Sequence, residues 1–242
     1  ERGIATITFS HPAHNSLPGR LLAELKTAIE TAGQNDEVRV IILRSGGDRT
    51  FCAGASFDEL MAIQDETTGK TFFLGFANVI NAIRKCPKFV LGRVQGKAIG
   101  GGVGLASATD YCVATKFAAV KLSELAIGIG PFVVGPAVAR KVGQSAFQQL
   151  AINATALQSA EWAREKGLYA AVFDDAAAMD EHLEELAQKL AKSSPEAMRE
   201  LKRISWEGTE NWDELLDTRA AISGELVLSD FTRNAIAAFK NK

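Results

Sequence analysis

At 242 residues the chain is long enough to bury roughly three quarters of the surface that its unfolded form exposes, so a substantial core is expected. Hydrophobic residues at 47%, charged residues at 23% and a formal net charge of −2 are ordinary globular values. They exclude a disordered chain, a basic nucleic-acid-binding surface and a polybasic membrane anchor.

The first half alternates strand-like and helix-like patterns. Residues 4–9 alternate as a strand, Pro18 to Ala32 carries helical spacing, and Val38 to Leu43 is a continuous apolar run of buried-strand type. Thr67 to Arg84 is a long helix closed by Pro87, and Phe89 to Val94 and Tyr111 to Ala114 are two further strands. The rhythm predicts an α/β fold of stacked β-β-α units around parallel strands. From Ser145 onward the pattern is almost wholly helical, with Leu183, Leu186 and Leu190 on one face and a helix start at Ser194-Pro195. Only Tyr169 to Phe173 resembles a strand there. No linker, repeat or low-complexity tract divides the chain. The expected organisation is an α/β core over residues 1–190 and a helical region over 191–242, packed on that core or on a neighbouring subunit.

No apolar run approaches the roughly 18 residues of a membrane span, and no signal-peptide pattern opens the chain. Cys52, Cys86 and Cys112 are odd in number and far apart, which fits neither a disulfide framework nor a zinc site. The expectation is a cytoplasmic protein with no metal and with neither membrane nor nucleic acid as partner. The chain opens on Glu1, already in a strand-like segment, as if a short N-terminus were missing.

Two glycine-rich loops stand out, 51-FCAGASFDEL-60 and 96-GKAIGGGVGL-105. Each follows a strand and opens a helix, where free N–H groups and the positive end of a helix dipole point outward. Two such loops can pinch one oxygen between two amides, and each donor of an oxyanion hole contributes about 3 kcal/mol to transition-state stabilisation. The same glycines also fit plain turns or close packing. Neither GxGxxG nor GxxxxGK[ST] is present, which disfavours a phosphate loop. In 119-AVKLSELAIGIGPFVVGPAVARKVG-143 the only acid is Glu124, set among Leu122, Leu125, Ile127, Ile129, Phe132 and Val133. An apolar setting raises a carboxyl pKa toward neutrality, as a general base or acid needs; a glutamate facing solvent beside a strand fits the same pattern. His11, His14 and His182 show no triad arrangement with a nucleophile elbow.

The combination of 11-HPAHNSL-17, the FCAGAS loop, GxAxGGGxxLAxxxD and SELAIGI followed by GxxxARKVG resembles the crotonase superfamily, the enoyl-CoA hydratase/isomerase family, over nearly the whole chain. The resemblance implies a crotonase-like β-β-α superhelix with a C-terminal helical trimerisation region, assembled as a homotrimer or a dimer of trimers. It implies an acyl-CoA thioester as substrate and an enolate as intermediate, with coenzyme A belonging to the substrate and no separate cofactor. The oxyanion amides fall on Ala55 and Gly101. His14, Ala53, Ser56 and Phe57 fall along the CoA groove, and Phe239 and Lys240 match a C-terminal aromatic-basic pair that reaches CoA.

The departures from the family pattern narrow the chemistry. Hydratases of this family hold water between two glutamates, three and 23 residues after the oxyanion glycine; here those positions are Gly104 and Glu124. A third position, which carries aspartate in dienoyl-CoA isomerases and chlorobenzoyl-CoA dehalogenases, is Phe132. One carboxylate resembles the monofunctional isomerases that move a double bond from the 3- to the 2-position, with Gly104 expected to enlarge the pocket. Hydration, including that of a branched enoyl-CoA, is the alternative, and a catalytically weak CoA-binding member is a third. Arg93 and Ser123, the latter where proline is common, leave the subgroup open.

Overall fold

The computed structural model describes residues 3–240, with side chains up to Ala238. In chain order the elements are β1 (Ile4–Phe9), α1 (Gly19–Gln34), β2 (Val40–Ser45), β3 (Thr50–Cys52), α2 (Phe57–Ala62), α3 (Glu66–Lys85), β4 (Phe89–Val94), β5 (Lys97–Ile99), α4 (Gly101–Ala108), β6 (Tyr111–Thr115) and β7 (Val120–Lys121). A 3-10 turn (Glu124–Ile127) follows, then α5 (Gly135–Ile152), α6 (Ala160–Glu165), β8 (Ala171–Phe173), α7 (Ala176–Ala191), α8 (Pro195–Ser205), α9 (Trp212–Leu226) and α10 (Asp230–Lys240).

The strands form two parallel sheets, β1-β2-β4-β6-β8 and β3-β5-β7. Three successive units (β2-β3, β4-β5 and β6-β7) each give their first strand to the large sheet and their second to the small one. The sheet twist and the short links between paired strands thereby stack the units in a β-β-α superhelix, as expected. Register runs Val40 to Phe89, Ile42 to Leu91 and Leu91 to Tyr111 across the large sheet. The strands are apolar on both faces because both are covered, as parallel sheets require. Val40, Ile42, Leu91 and Val113 pack against Met179, Leu183 and Ala187 of α7 on one face. Ile41, Leu43, Val90 and Ala114 enter the main core on the other.

The C-terminal helices join that core through Trp206, Trp212, Leu216, Ala220, Val227 and Ile236. Asp110, the last residue of the GxAxGGGxxLAxxxD segment, ties them down. Its Oδ2 accepts from the Val90 amide at 2.7 Å and from Lys202 Nζ at 2.8 Å, and its Oδ1 accepts from Trp206 Nε1 at 2.9 Å. Lys202 Nζ also donates to the carbonyls of Ile83 and Lys88, both at 2.8 Å, so this buried cation has its donors satisfied.

Helix α9 crosses α3 in backbone contact. A Cβ on Gly69 would stand 2.8 Å from the Gly224 Cα, closer than any side chain tolerates. The preceding residue, Ser223, is thereby delivered to the cavity described below. Replacing Gly224 with Val should force the helices apart and cost about 3 kcal/mol, the upper part of the range for overpacking. Urea unfolding at constant m-value measures this loss; a change below about 0.5 kcal/mol would show that the helices do not need the bare backbone.

Candidate active site

The site begins with the turn at residues 11–17. Asn15 takes a left-handed conformation (φ 56°) that asparagine tolerates better than most residues. Its Oδ1 accepts from the His11 amide at 2.9 Å, and its Nδ2 donates to the carbonyls of Gly46 and Thr50, each at 2.8 Å. The pinned turn then holds the loop after β3: the Ala53 amide donates to the His14 carbonyl at 3.2 Å, and the Leu17 amide to the Gly54 carbonyl at 2.8 Å. At the far end of the loop Ser56 caps α2 by accepting from the Glu59 amide, and Glu59 Oε2 accepts from the Gly19 amide at 2.7 Å. The amide of Ala55, fixed between these ties, donates to no other group among the described residues.

The second loop lies directly against the first. A Cβ on Gly54 (φ 92°) would fall 3.1 Å from the Ile99 carbonyl oxygen and 3.5 Å from the Gly101 nitrogen. Gly101 opens α4, so its N–H has no intrahelical acceptor and none elsewhere among the described residues. Its α-carbon is covered by the Phe76 ring, whose Cδ1 is 2.8 Å from the place of a Cβ. A side chain at 101 is thus excluded by an aromatic wall as well as by any ligand. Ala55 and Gly101 line one cavity, and neither amide is spent on another described group.

Glu124 stands over this loop. Its Oε1 would be 3.1 Å from a Cβ on Gly100, which adopts φ 53° at the N-cap of α4. Glu124 is placed by the 3-10 turn, which closes on Gly128 in a left-handed conformation (φ 82°). As a residue it is half-buried, yet its Oε2 is shielded from solvent and has no hydrogen-bond partner among the described residues. Burial pushes the carboxyl up to about 7, with a backbone hydrogen bond at Glu124 itself pulling weakly the other way. Of the described residues lining the cavity, Glu124 is the only titratable one; Leu60, Phe73, Phe76, Ile127, Phe132 and Val134 give it apolar walls.

The remaining expected residues divide. Ala53, Phe57 and Phe132 line the cavity. His14 lies on an open groove of about 550 Å³ that also carries Arg49 and Lys97 and meets the cavity at Ala53. Ser56 is buried and spends its oxygen on the α2 cap, so it is a positioning residue and not part of the groove wall. Gly104 departs from expectation. It does not open the pocket, because the volume a side chain would need is filled by Val134, whose Cβ is 2.6 Å from the place of a Cβ on Gly104. The side chains of Phe239 and Lys240 lie outside the described residues. Arg93 turns to the α7 face, where its Nη2 donates to Asp180 Oδ2 at 2.8 Å. Among the described residues no group of three or more His, Cys, Asp or Glu side chains converges on a metal-sized site, and no helix is long and apolar enough to cross a membrane.

Sequence reasoning missed Asn15, Phe76, Val134 and Ser223. Phe72, Phe73 and Phe76 have the spacing of any buried helix face, and Val134 and Ser223 reach the cavity through tertiary packing alone. Asn15 left a signal, an asparagine in a polar turn before an apolar helix.

The sequence profile of the enoyl-CoA hydratase/isomerase family matches residues 1–242. The chain belongs to that family. Within it, the chain is similar to a probable enoyl-CoA hydratase of Bacillus subtilis, 28% identical over 99% of this chain and 93% of the relative. It is also similar to the mouse mitochondrial methylglutaconyl-CoA hydratase, 32% identical over 86% of this chain and 68% of the relative. The peroxisomal Delta(3,5)-Delta(2,4)-dienoyl-CoA isomerase of Arabidopsis thaliana is 28% identical over 96% of this chain and 88% of its own. The crystal structure of an enoyl-CoA hydratase from Bacillus halodurans superimposes with a TM-score of 0.90 at 20% identity, over 98% of this chain and 97% of that one. The crotonase fold is therefore shared, and relatives of both reaction types stand at low identity.

In this enoyl-CoA hydratase/isomerase family member the buried Glu124 has a thermodynamic signature. Its folded pKa of about 7 lies above the ordinary 4.5, so its contribution to stability is fully present below the ordinary value and is lost as pH rises through about 7. Glu124→Gln removes the ionisation. The melting temperature of the variant relative to wild type should therefore rise between pH 5 and pH 8.5, by about 4 °C or more for a domain of this size. A difference independent of pH would mean that the carboxyl is not held in a desolvated state.

Proposed function

We propose that the protein isomerises 3-enoyl-CoA thioesters to 2-enoyl-CoA thioesters, with Glu124 as sole acid and base. The observation that carries this reading is a cavity with two free backbone amides and one carboxyl, whose pKa of about 7 suits both removing and returning a proton near neutrality. The thioester oxygen would accept from the N–H groups of Ala55 and Gly101. The Glu124 carboxylate takes a proton from C2; the C–H electron pair forms the C1–C2 double bond and moves the carbonyl pair onto oxygen, where the two amides hold the negative charge. Protonated Glu124 then delivers that proton to C4, the double bond settles between C2 and C3, and the carbonyl is restored with nothing gained or lost.

The groove carrying His14, Arg49 and Lys97 would take the CoA portion, with cationic side chains toward its phosphates. Phe132, an apolar side chain where dienoyl-CoA isomerases carry an aspartate, supports a single-base reaction. The exposed Ile152 and Phe231, 73% and 66% accessible, supply apolar surface for a homotrimer or dimer of trimers.

The test is a panel of 3-enoyl- and 2-enoyl-CoA thioesters, with isomerisation and hydration followed separately. Wild type should isomerise, and Glu124→Gln should lose at least about 10² in turnover while thioester affinity changes little. Activity should also fall as pH drops below about 7, because the base must be ionised to take the C2 proton. Hydration without isomerisation by wild type overturns the reading.

A further inference from the structure

Gly104 lies on the first turn of α4, and Gly100 caps that helix in a non-helical conformation (φ 53°, ψ −118°). Glu124 Oε1 already rests over Gly100, 3.1 Å from the place of a Cβ. A side chain at 104 would need volume on the side of α4 where Val134 lines the cavity together with Glu124. Val134 occupies this volume instead: its Cβ lies 2.6 Å, and its Cα 3.5 Å, from where the 104 Cβ would be. Val134 comes from the N-cap of α5, in an ordinary right-handed conformation (φ −81°, ψ −21°), and it lines the cavity with Glu124. The carboxyl's Oε2, shielded and unpartnered, has no water-binding polar neighbour supplied by this wall.

We propose that Val134 is the residue that sets the choice of reaction, by filling the slot over Gly104 and so denying Glu124 both a bound water and a second polar partner. The proposal deepens the isomerase reading and rests on it for the wild-type reaction. Hydration adds the elements of water across the C2–C3 double bond, hydroxyl to C3 and proton to C2, and needs an ordered water within reach of the base. An apolar side chain in the wall of the cavity that holds the base withholds a polar partner for such a water.

The pairing of Gly104 with Val134 makes a second acid at 104 unusable by itself. Gly104→Glu should give a destabilised protein with no gain in hydration. Val134→Ala keeps the obstructing Cβ, so the permissive change is Val134→Gly, and Gly104→Ala paired with Val134→Gly forms a thermodynamic cycle for the packing alone. In that cycle Gly104→Ala should be destabilising with Val134 present and near neutral without it.

The experiment follows hydration of a short 2-enoyl-CoA and isomerisation of the matching 3-enoyl-CoA in wild type, Gly104→Glu, Val134→Gly and Gly104→Glu/Val134→Gly, with thermal unfolding of each. Hydration relative to isomerisation should rise at least about 10-fold in Val134→Gly, and more in the double variant. Water admitted beside Glu124 should also move the acid limb of the isomerisation profile down by about one pH unit, which a merely structural role for Val134 would not do. Folded Val134→Gly and double variants with unchanged hydration and an unmoved acid limb overturn the proposal. A wild type that hydrates without isomerising overturns the isomerase reading instead, and the hydration rates of the same variants still decide whether Val134 restrains water.

Discussion

The ends of β3 and β5 approach each other as bare backbone, and the rest of the site follows from that approach. A Cβ on Gly54, itself at φ 92°, would press to 3.1 Å from the Ile99 carbonyl oxygen and 3.5 Å from the Gly101 nitrogen, so a side chain between the loops is disfavoured. The amides of Ala55 and Gly101, unused by strand or helix, belong to residues that line one cavity. The tightness is sustained from both sides, by the Asn15-pinned turn under the first loop and by the Phe76 ring over the second. Under the proposed function, a pair of donors fixed in this way would need no reorganisation when charge develops on an oxygen between them.

Against this rigid pair stands a carboxyl whose Oε2 the described residues leave without a donor. A hydrogen bond to Glu124 Oε2 would stabilise the folded state at neutral pH and lower the pKa, and the group would then be a weaker base. Its present setting does the reverse, since burial disfavours the charge and leaves proton affinity near the middle of the physiological range. Stability and reactivity therefore compete at one residue, whereas the buried pair of Asp110 and Lys202 is fully partnered.

Much of this was legible in the sequence because backbone chemistry leaves compositional traces. The triple glycine, the FCAGAS loop and the acid alone among apolar residues each mark a place where physical options are few. The strand at residues 4–9 stands where its alternation puts it, and the strand Phe89–Val94 stands where its apolar run puts it. The run at Val38 begins two residues late as a strand, because the Val38 amide closes a turn on the Asn35 carbonyl before β2 starts. The strands β3, β5 and β7 are two or three residues long, too short for periodicity to register. Gly104 misled for a related reason. A missing side chain reads as empty space in one dimension, and only the fold reveals that Val134, thirty positions away, already fills it.

The contact between Gly69 and Gly224 also ties the acyl pocket to a helix late in the chain. Because α9 rests on α3 backbone to backbone, Ser223 forms part of the cavity wall although nothing near it in sequence participates in the chemistry. Helix α3 contributes Phe73 and Phe76 to the same wall. The two helices therefore shape this part of the wall together, and a different position along the crossing would move Phe73, Phe76 and Ser223 as a group. Within this scaffold, substrate range can drift through small residues at one helix crossing while the amides and the acid stay unchanged.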